Sequence, residues 1–293
     1  MRVLVTGGVG FVGSNLIEKL HQQEHEVISV DNYSTGKKEN EHSFCEYHNV
    51  DLQEHPLEYV KMEKPDIIYH LAAKARILPS IQNPLHTMKN NVNSMIHVLD
   101  YARSKNVPVV YAGSSSVVGD IYSNPYTLSK FYGEELCKMY SKVYETPISI
   151  CRFYNVYGKY QLTEGAYCTL IGIFERLYNS NQPLTITGDG EQRRDFTHVD
   201  DIVDGLIKCG RSLLIPNEFH ASIDGETFEL GRGENYSVNQ IAKAFGDYPT
   251  KYIEERPGEM RHTLNTDKKA YTMLGWNPKG DVIDYIKNNI LKK

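Results

Sequence analysis

Residues 1–31 read MRVLVTGGVGFVGSNLIEKLHQQEHEVISVD, and the fold turns on this stretch. Val3-Leu4-Val5 is a β-branched run that enters Gly7, Gly10 and Gly13, and the apolar-periodic Leu16, Ile17 and Leu20 follow. That pattern predicts strand, tight glycine turn, helix. Such a turn lets the backbone approach a pyrophosphate, and the helix N-terminus presents free N–H groups to it. The spacing is G-x-x-G-x-x-G, where the general dinucleotide fingerprint is G-x-G-x-x-G. Taken alone the glycines also fit an ordinary βα turn. The second strand, Val27–Val30, ends in Asp31, about 20 residues on, where an acid suits the ribose hydroxyls of NAD. A 2′-phosphate would be repelled there, so the stretch points to NAD over NADP.

Working outward, strand and helix patterns alternate. Residues 65–71, 108–112 and 148–153 read as buried strands, and 90–104 and 126–144 as helices. Alternation of this kind predicts a doubly wound parallel sheet of the Rossmann type, an α/β fold with helices on both faces. Beyond Gly158 the pattern loosens. Helices are expected over 170–178, 200–209 and after Ser237, with strands at 183–187 and 228–231 and an irregular stretch over 252–266. The expected organisation is a dinucleotide-binding domain over 1–157 that carries the catalytic groups. Residues 158–293 form a smaller, mainly substrate-binding part interleaved with the sheet.

The 293 residues carry a net charge of −5 and no basic run, which argues against a nucleic-acid partner. Cys45, Cys137, Cys151, Cys168 and Cys209 are scattered, with no C-x-x-C. Neither a metal site nor a disulfide framework is expected, and a reducing, cytoplasmic setting is. No apolar run reaches membrane-spanning length. The N-x-S triplets at Asn32 and Asn235 are then chance matches.

Tyr126 and Lys130 are four apart on a predicted helix and share a face. An ammonium beside a phenol favours the phenolate, which is a usable general base. The strand before this helix ends in Gly113-Ser114-Ser115-Ser116, placing hydroxyls at the carboxyl edge of the sheet. A later run, Gly188 to Phe196, holds Arg193 and Arg194, and Arg256 follows. A charged loop is the plain reading. Arginines that fork onto a phosphate are the functional one, suited to a substrate with its own diphosphate.

Together these residues resemble the extended short-chain dehydrogenase/reductase family, and within it the nucleotide-sugar epimerases and dehydratases. The resemblance runs over essentially the whole chain. It rests on GGVGFVGSNL, VDNYSTG at 30–36, HLAAKA at 70–75, YAGSSSVVGD at 111–120, YTLSK, RFYNVYG at 152–158, GDGEQRRDFTHVDD at 188–201, RPGE at 256–259 and LGWNP at 274–278. It implies a catalytic Ser114, Tyr126 and Lys130. It implies NAD contacts from Gly7, Gly10, Phe11, Val12, Gly13, Asp31, Asn32, Thr35, Gly36, Asp51, Leu52, Leu71, Ala72, Ala73, Ala112 and Tyr154, besides Tyr126 and Lys130. On the substrate side it implies Ser114, Tyr126, Asn155, Thr169, Thr185, Ile186, Thr187, Arg194, Arg256, Glu259 and Thr263.

Dehydratases of that family carry Asp-Glu after the triad Ser/Thr, and here those positions are Ser115 and Ser116. Neither is a strong acid at neutral pH, so the resemblance implies a UDP-sugar C4-epimerase. Dehydratase, decarboxylase or reductase activity is the alternative among enzymes, and a silent nucleotide-sugar or NAD-binding protein is the alternative outside them. By the same resemblance, Thr263 falls where related epimerases place a gate near the sugar's C2 substituent, and a small residue there implies room for an N-acetyl group. The family also implies a homodimer through the helices near 91–102 and 126–144, the latter carrying Leu136, Met139, Tyr140 and Val143.

Overall fold

The computed structural model describes residues 1–215, 222–255 and 260–292. Seven strands form the central sheet: β1 (Arg2–Thr6), β2 (Glu26–Asp31), β3 (Cys45–Asn49), β4 (Ile67–His70), β5 (Val109–Ser114), β6 (Ile148–Phe153) and β7 (Thr227–Leu230). Their order is β7-β6-β5-β4-β1-β2-β3, and each neighbouring pair is parallel. The chain reverses its direction of travel across the sheet between β1 and β4. Ligands of such sheets bind in the crevice outside the strand carboxyl ends at that point.

Alternation along β1 divides the core. Val3 and Val5 face α1 (Phe11–Gln22) and α6 (Val199–Leu214), with Leu16, Ile17, Ile202 and Leu206. Leu4 faces the opposite way, toward Val98, Leu99 and Cys137. Those belong to α3 (Pro84–Lys105) and α4 (Pro125–Tyr144). A third apolar cluster, around Phe174, Ile186, Phe196, Ile241 and Phe245, lies wholly in the later part of the chain. It draws on α5 (Leu170–Asn179) and α7 (Val238–Lys243).

Several elements differ from the sequence reading. Helix α3 starts at Pro84, not Asn90, because Asn83 caps it by accepting the His86 N–H. Its first turns are polar, so apolar periodicity misses them. A short helix, α2 (Ile77–Gln82), precedes it. Helix α6 continues to Leu214. Residues 252–253, expected to begin an irregular stretch, instead end a strand over 250–253 beside Leu184–Thr187. Ser237 does cap α7, in a reciprocal box with Gln240.

Candidate active site

The glycine turn leads from β1 into α1. Gly7 has φ +76°, and a Cβ there would lie 2.8 Å from the Ala72 nitrogen. A Cβ on Gly13 would meet the Gly7 carbonyl oxygen at 2.1 Å. The turn is therefore packed against both its own helix and the loop after β4. Gly10 gives α1 no side-chain cap, and the first turn has no acidic residue. The first N–H groups of α1, at Phe11, Val12 and Gly13, thus suit an anion such as a dinucleotide pyrophosphate.

Asp31 ends β2 and is buried. Its carboxylate accepts the Val9 N–H at 3.1 Å and the Tyr33 N–H at 2.8 Å. Burial pushes its pKa up, and those amides with the nearby Lys74 oppose the rise. The Asn32 side chain accepts the Ser34 N–H, and Thr35 and Gly36 follow in the same turn beside the glycine loop. Asp51 holds its own turn through the Gln53 N–H, while the Leu52 carbonyl accepts from His97. Ala72 donates its N–H to the Thr6 hydroxyl, with Leu71 and Ala73 on either side.

Helix α4 positions the catalytic candidates. Asn124 accepts the Thr127 N–H at 2.9 Å and Pro125 occupies the first helical position. The short loop before it thus ends in a defined start, which sets Tyr126 in the first turn and Lys130 in the next. Ser114 is the last residue of β5, its Oγ 3.0 Å from the Ser116 Oγ. Ser114 favours ionisation of the Tyr126 phenol.

Lys130 lies on the next turn of α4. Its ammonium donates to the Ala112 carbonyl at 2.8 Å and lies over the Tyr111 ring at 4.9 Å. Burial pushes Lys130 down to about 8 and raises the Tyr126 pKa, opposed by Ser114 and Arg76.

On the substrate side, the Asn155 amide donates to the Asp195 carbonyl at 3.1 Å and to the Thr263 hydroxyl at 3.2 Å. That hydroxyl also accepts the Asp195 N–H, so Thr263 is buried and tied in. Arg194 reaches the carbonyls of Arg193 and Arg261. Arg193 instead binds Asn235 through Nε and Nη2 and joins two strands. Thr185, Ile186 and Thr187 lie on one strand, with Ile186 in the core and Thr187 accepting from Gln192. Thr169 caps α5 through the Gly172 N–H. Tyr154 is buried and its ring packs at Gly231, where burial and the nearby Glu229 raise its pKa. Arg256 and Glu259 lie outside the described residues. Among the described residues, no three His, Cys, Asp or Glu side chains could hold a metal ion together.

A glycine turn, an acid at the end of β2 and a Ser–Tyr pair beside a lysine now lie at one edge of one sheet. A family model described as "NAD dependent epimerase/dehydratase family" matches residues 3–214. The chain belongs to this family. Its cofactor is NAD. The chain is similar to the putative UDP-glucose 4-epimerase of Methanocaldococcus jannaschii, 30% identical over 98% of this chain and 99% of that protein. In structure it is similar to the UDP-glucose 4-epimerase of Thermotoga maritima solved with UDP-glucose. The TM-score is 0.89 and the identity 26%, over 99% of this chain and 98% of that one. It is also similar to the UDP-glucuronic acid 4-epimerase of Bacillus cereus solved with UDP-glucuronic acid and NAD. There the TM-score is 0.86 and the identity 28%, over 98% and 97% of the two chains.

The epimerase-type edge holds residues that sequence reasoning passed over. Lys74 is buried, its ammonium 2.6 Å from the Ser34 hydroxyl. Asn91 grips its backbone from both sides, accepting its N–H and donating to its carbonyl. Arg76 donates from Nε to the Tyr167 carbonyl at 3.0 Å. The available signal was two cations in HLAAKAR, a loop that otherwise reads as apolar cofactor lining.

Proposed function

We propose that this chain is a UDP-sugar C4-epimerase that interconverts UDP-glucose with UDP-galactose, or UDP-N-acetylglucosamine with UDP-N-acetylgalactosamine. The observation that carries the reading is Ser116 beside Ser114, where a dehydratase needs an acid to expel a hydroxyl. NAD, when bound, accepts the C4 hydrogen with its electron pair and later returns it. Tyr126 takes the proton of the sugar 4-hydroxyl, directly or through Ser114, and gives it back after the 4-keto sugar has turned over. Lys130 stands by for the nicotinamide ribose. Asn155, Arg194 and Arg256 hold the diphosphate as a pivot, with Thr169, Thr185–Thr187 and Glu259 along the rest of the substrate. The dinucleotide contacts are those named for residues 7–73 together with Ala112, Tyr126, Lys130 and Tyr154. Residues 1–157 supply the cofactor domain and residues 158–293 most of the substrate side.

We also propose a cytoplasmic homodimer. The described cysteines are free, and among the described residues no helix is long and apolar enough to cross a membrane. Met139 and Val143 on α4, with Leu85 and Ile96 on α3, are exposed, while Leu136 and Tyr140 pack partly on the sheet. Half of the α4 stripe is thus available to a second copy. Sedimentation at micromolar concentration would show a dimer, and a clean monomer would refute that part.

The activity is tested with a panel of UDP-, dTDP- and GDP-sugars, products read by NMR. C4 epimers without net NADH support the reading. A 4-keto-6-deoxy product or release of CO₂ overturns it.

A further inference from the structure

Lys74 is a buried cation that the proposed chemistry does not use. It lies in the loop after β4, and Ser34 lies in the turn after β2. β1 runs between those two strands. The 2.6 Å bond from the Lys74 ammonium to the Ser34 hydroxyl therefore passes across the carboxyl end of β1, where the glycine turn begins. Burying an ammonium is costly unless it is paired. The backbone of Lys74 is fixed as well: Asn91 accepts its N–H at 2.7 Å, donates to its carbonyl at 3.2 Å and donates to the Ser129 hydroxyl at 2.8 Å.

A distant segment, residues 159–169, closes over this lysine. It begins docked on α1, where the Lys159 carbonyl accepts the Asn15 amide at 2.8 Å and the Lys159 ammonium pairs with Glu18. It ends docked on the loop after β4. There the Arg76 Nε donates to the Tyr167 carbonyl at 3.0 Å, and the Lys74 ammonium lies 5.8 Å from the centre of the Tyr167 ring, within range of cation–π attraction. The Thr169 hydroxyl donates to the Gln161 side chain at 3.1 Å, which pins the two ends of the loop together. Helix α1 packs on one face of the sheet. The loop after β4 leads through α2 into α3, which packs on the other. The segment thus crosses the carboxyl edge of the sheet, where such folds hold their ligands.

We propose that residues 159–167 form a strap across the dinucleotide crevice and that Lys74 is its latch. The Lys74 ammonium ties Ser34, on the cofactor side, to the Tyr167 ring of the strap, and the cofactor passes in or out when that tie opens. A latch of this kind acts on entry and exit alike, so it sets the rates of cofactor exchange more than the affinity. The inference rests on the dinucleotide lying over the glycine turn, as proposed above, and not on the identity of the sugar.

The test follows NADH by its fluorescence in stopped flow. Release is read by chasing NADH-loaded protein with excess NAD, and entry by mixing NADH with protein stripped of cofactor. Lys74→Met keeps the buried stem and removes the ammonium. It should speed release roughly tenfold, as for loss of a hydrogen bond to a charged group, and speed entry as well, leaving Kd within about threefold. Tyr167→Leu should speed both steps roughly threefold. The double variant should release no faster than Lys74→Met, because the two side chains share one contact. Tyr167 lies on a loop, so its variant decides the question even if Lys74→Met fails to fold. Faster release with entry unchanged or slowed would make Lys74 a direct ligand of the cofactor and overturn the latch. Unchanged rates in both single variants would overturn it too. Gly13→Ala tests the place of the cofactor separately. If that variant binds NADH undiminished, the placement fails and the latch with it. If it binds weakly while Lys74→Met and Tyr167→Leu keep wild-type rates, the latch alone fails.

Discussion

His70 ends β4 with its ring buried. Its Nδ1 is 2.7 Å from the Thr6 hydroxyl, and that hydroxyl accepts the Ala72 N–H. The chain of bonds fixes the backbone that closes the cofactor crevice. Burial, aided by the charge of Lys130, pulls the His70 pKa from the ordinary 6.5 down to about 3. Because the folded value lies below the unfolded one, stability from the neutral ring is present above pH 6.5. It is lost progressively as pH falls from 6.5 toward 3. At pH 5 the unfolded imidazole is protonated and the folded one is still neutral. The difference between pH 5 and the unfolded midpoint is 1.5 units, or about 2 kcal/mol at 1.36 kcal/mol per unit. His70→Gln keeps an acceptor for the Thr6 hydroxyl but cannot titrate. Urea unfolding at pH 7 and pH 5 measures both proteins. Between these pH values wild type should lose about 2 kcal/mol more than His70→Gln, since all other titrations are common to both. Equal losses would refute a neutral, buried His70.

Arg152 bonds the buried Glu134 through Nε and Nη2 and Glu229 through Nη1; Arg152→Leu should cost about 3–5 kcal/mol. Calorimetry should show a melting temperature lower by roughly 6–15 °C, partly restored when Glu134→Leu is added. Gly13→Ala drives a methyl into the Gly7 carbonyl. Strain of about 1–3 kcal/mol should weaken NAD binding roughly 5–150-fold by titration calorimetry. UDP-N-acetylhexosamines should be accepted at least as well as UDP-glucose, and Thr263→Tyr should lose them selectively. Thr263→Val separates the lost hydroxyl bonds to Asn155 and Asp195 from lost space, and kcat/KM on both sugar classes measures the outcome. Tyr126→Phe should lower turnover about 10²–10⁴-fold with NAD still bound, checked by the cofactor's absorbance in the purified protein.

The sequence by itself determined the sheet and its edge. Val3–Val5, the glycine turn and Asp31 are local: strand propensity, a positive φ and a short acid reach a few residues and can be read from neighbours in the chain. The order of the catalytic candidates was legible for the same reason, since Ser114, Tyr126 and Lys130 sit where a strand ends and a helix begins. The early start of α3 escaped because its first turns are polar and its cap is a single Asn. Only the tertiary structure decided where the Lys130 ammonium is held. Helical spacing placed Lys130 on the face of Tyr126, yet packing of α4 on β5 sends its ammonium to Ala112. Ser80 is 46 positions upstream of Tyr126, and its hydroxyl accepts the Tyr126 N–H only because α2 docks on α4. Thr263 likewise joins Asn155 and Asp195 across long separations. Electrostatic and packing partners of this kind depend on distance in space, which no periodicity along a single chain encodes.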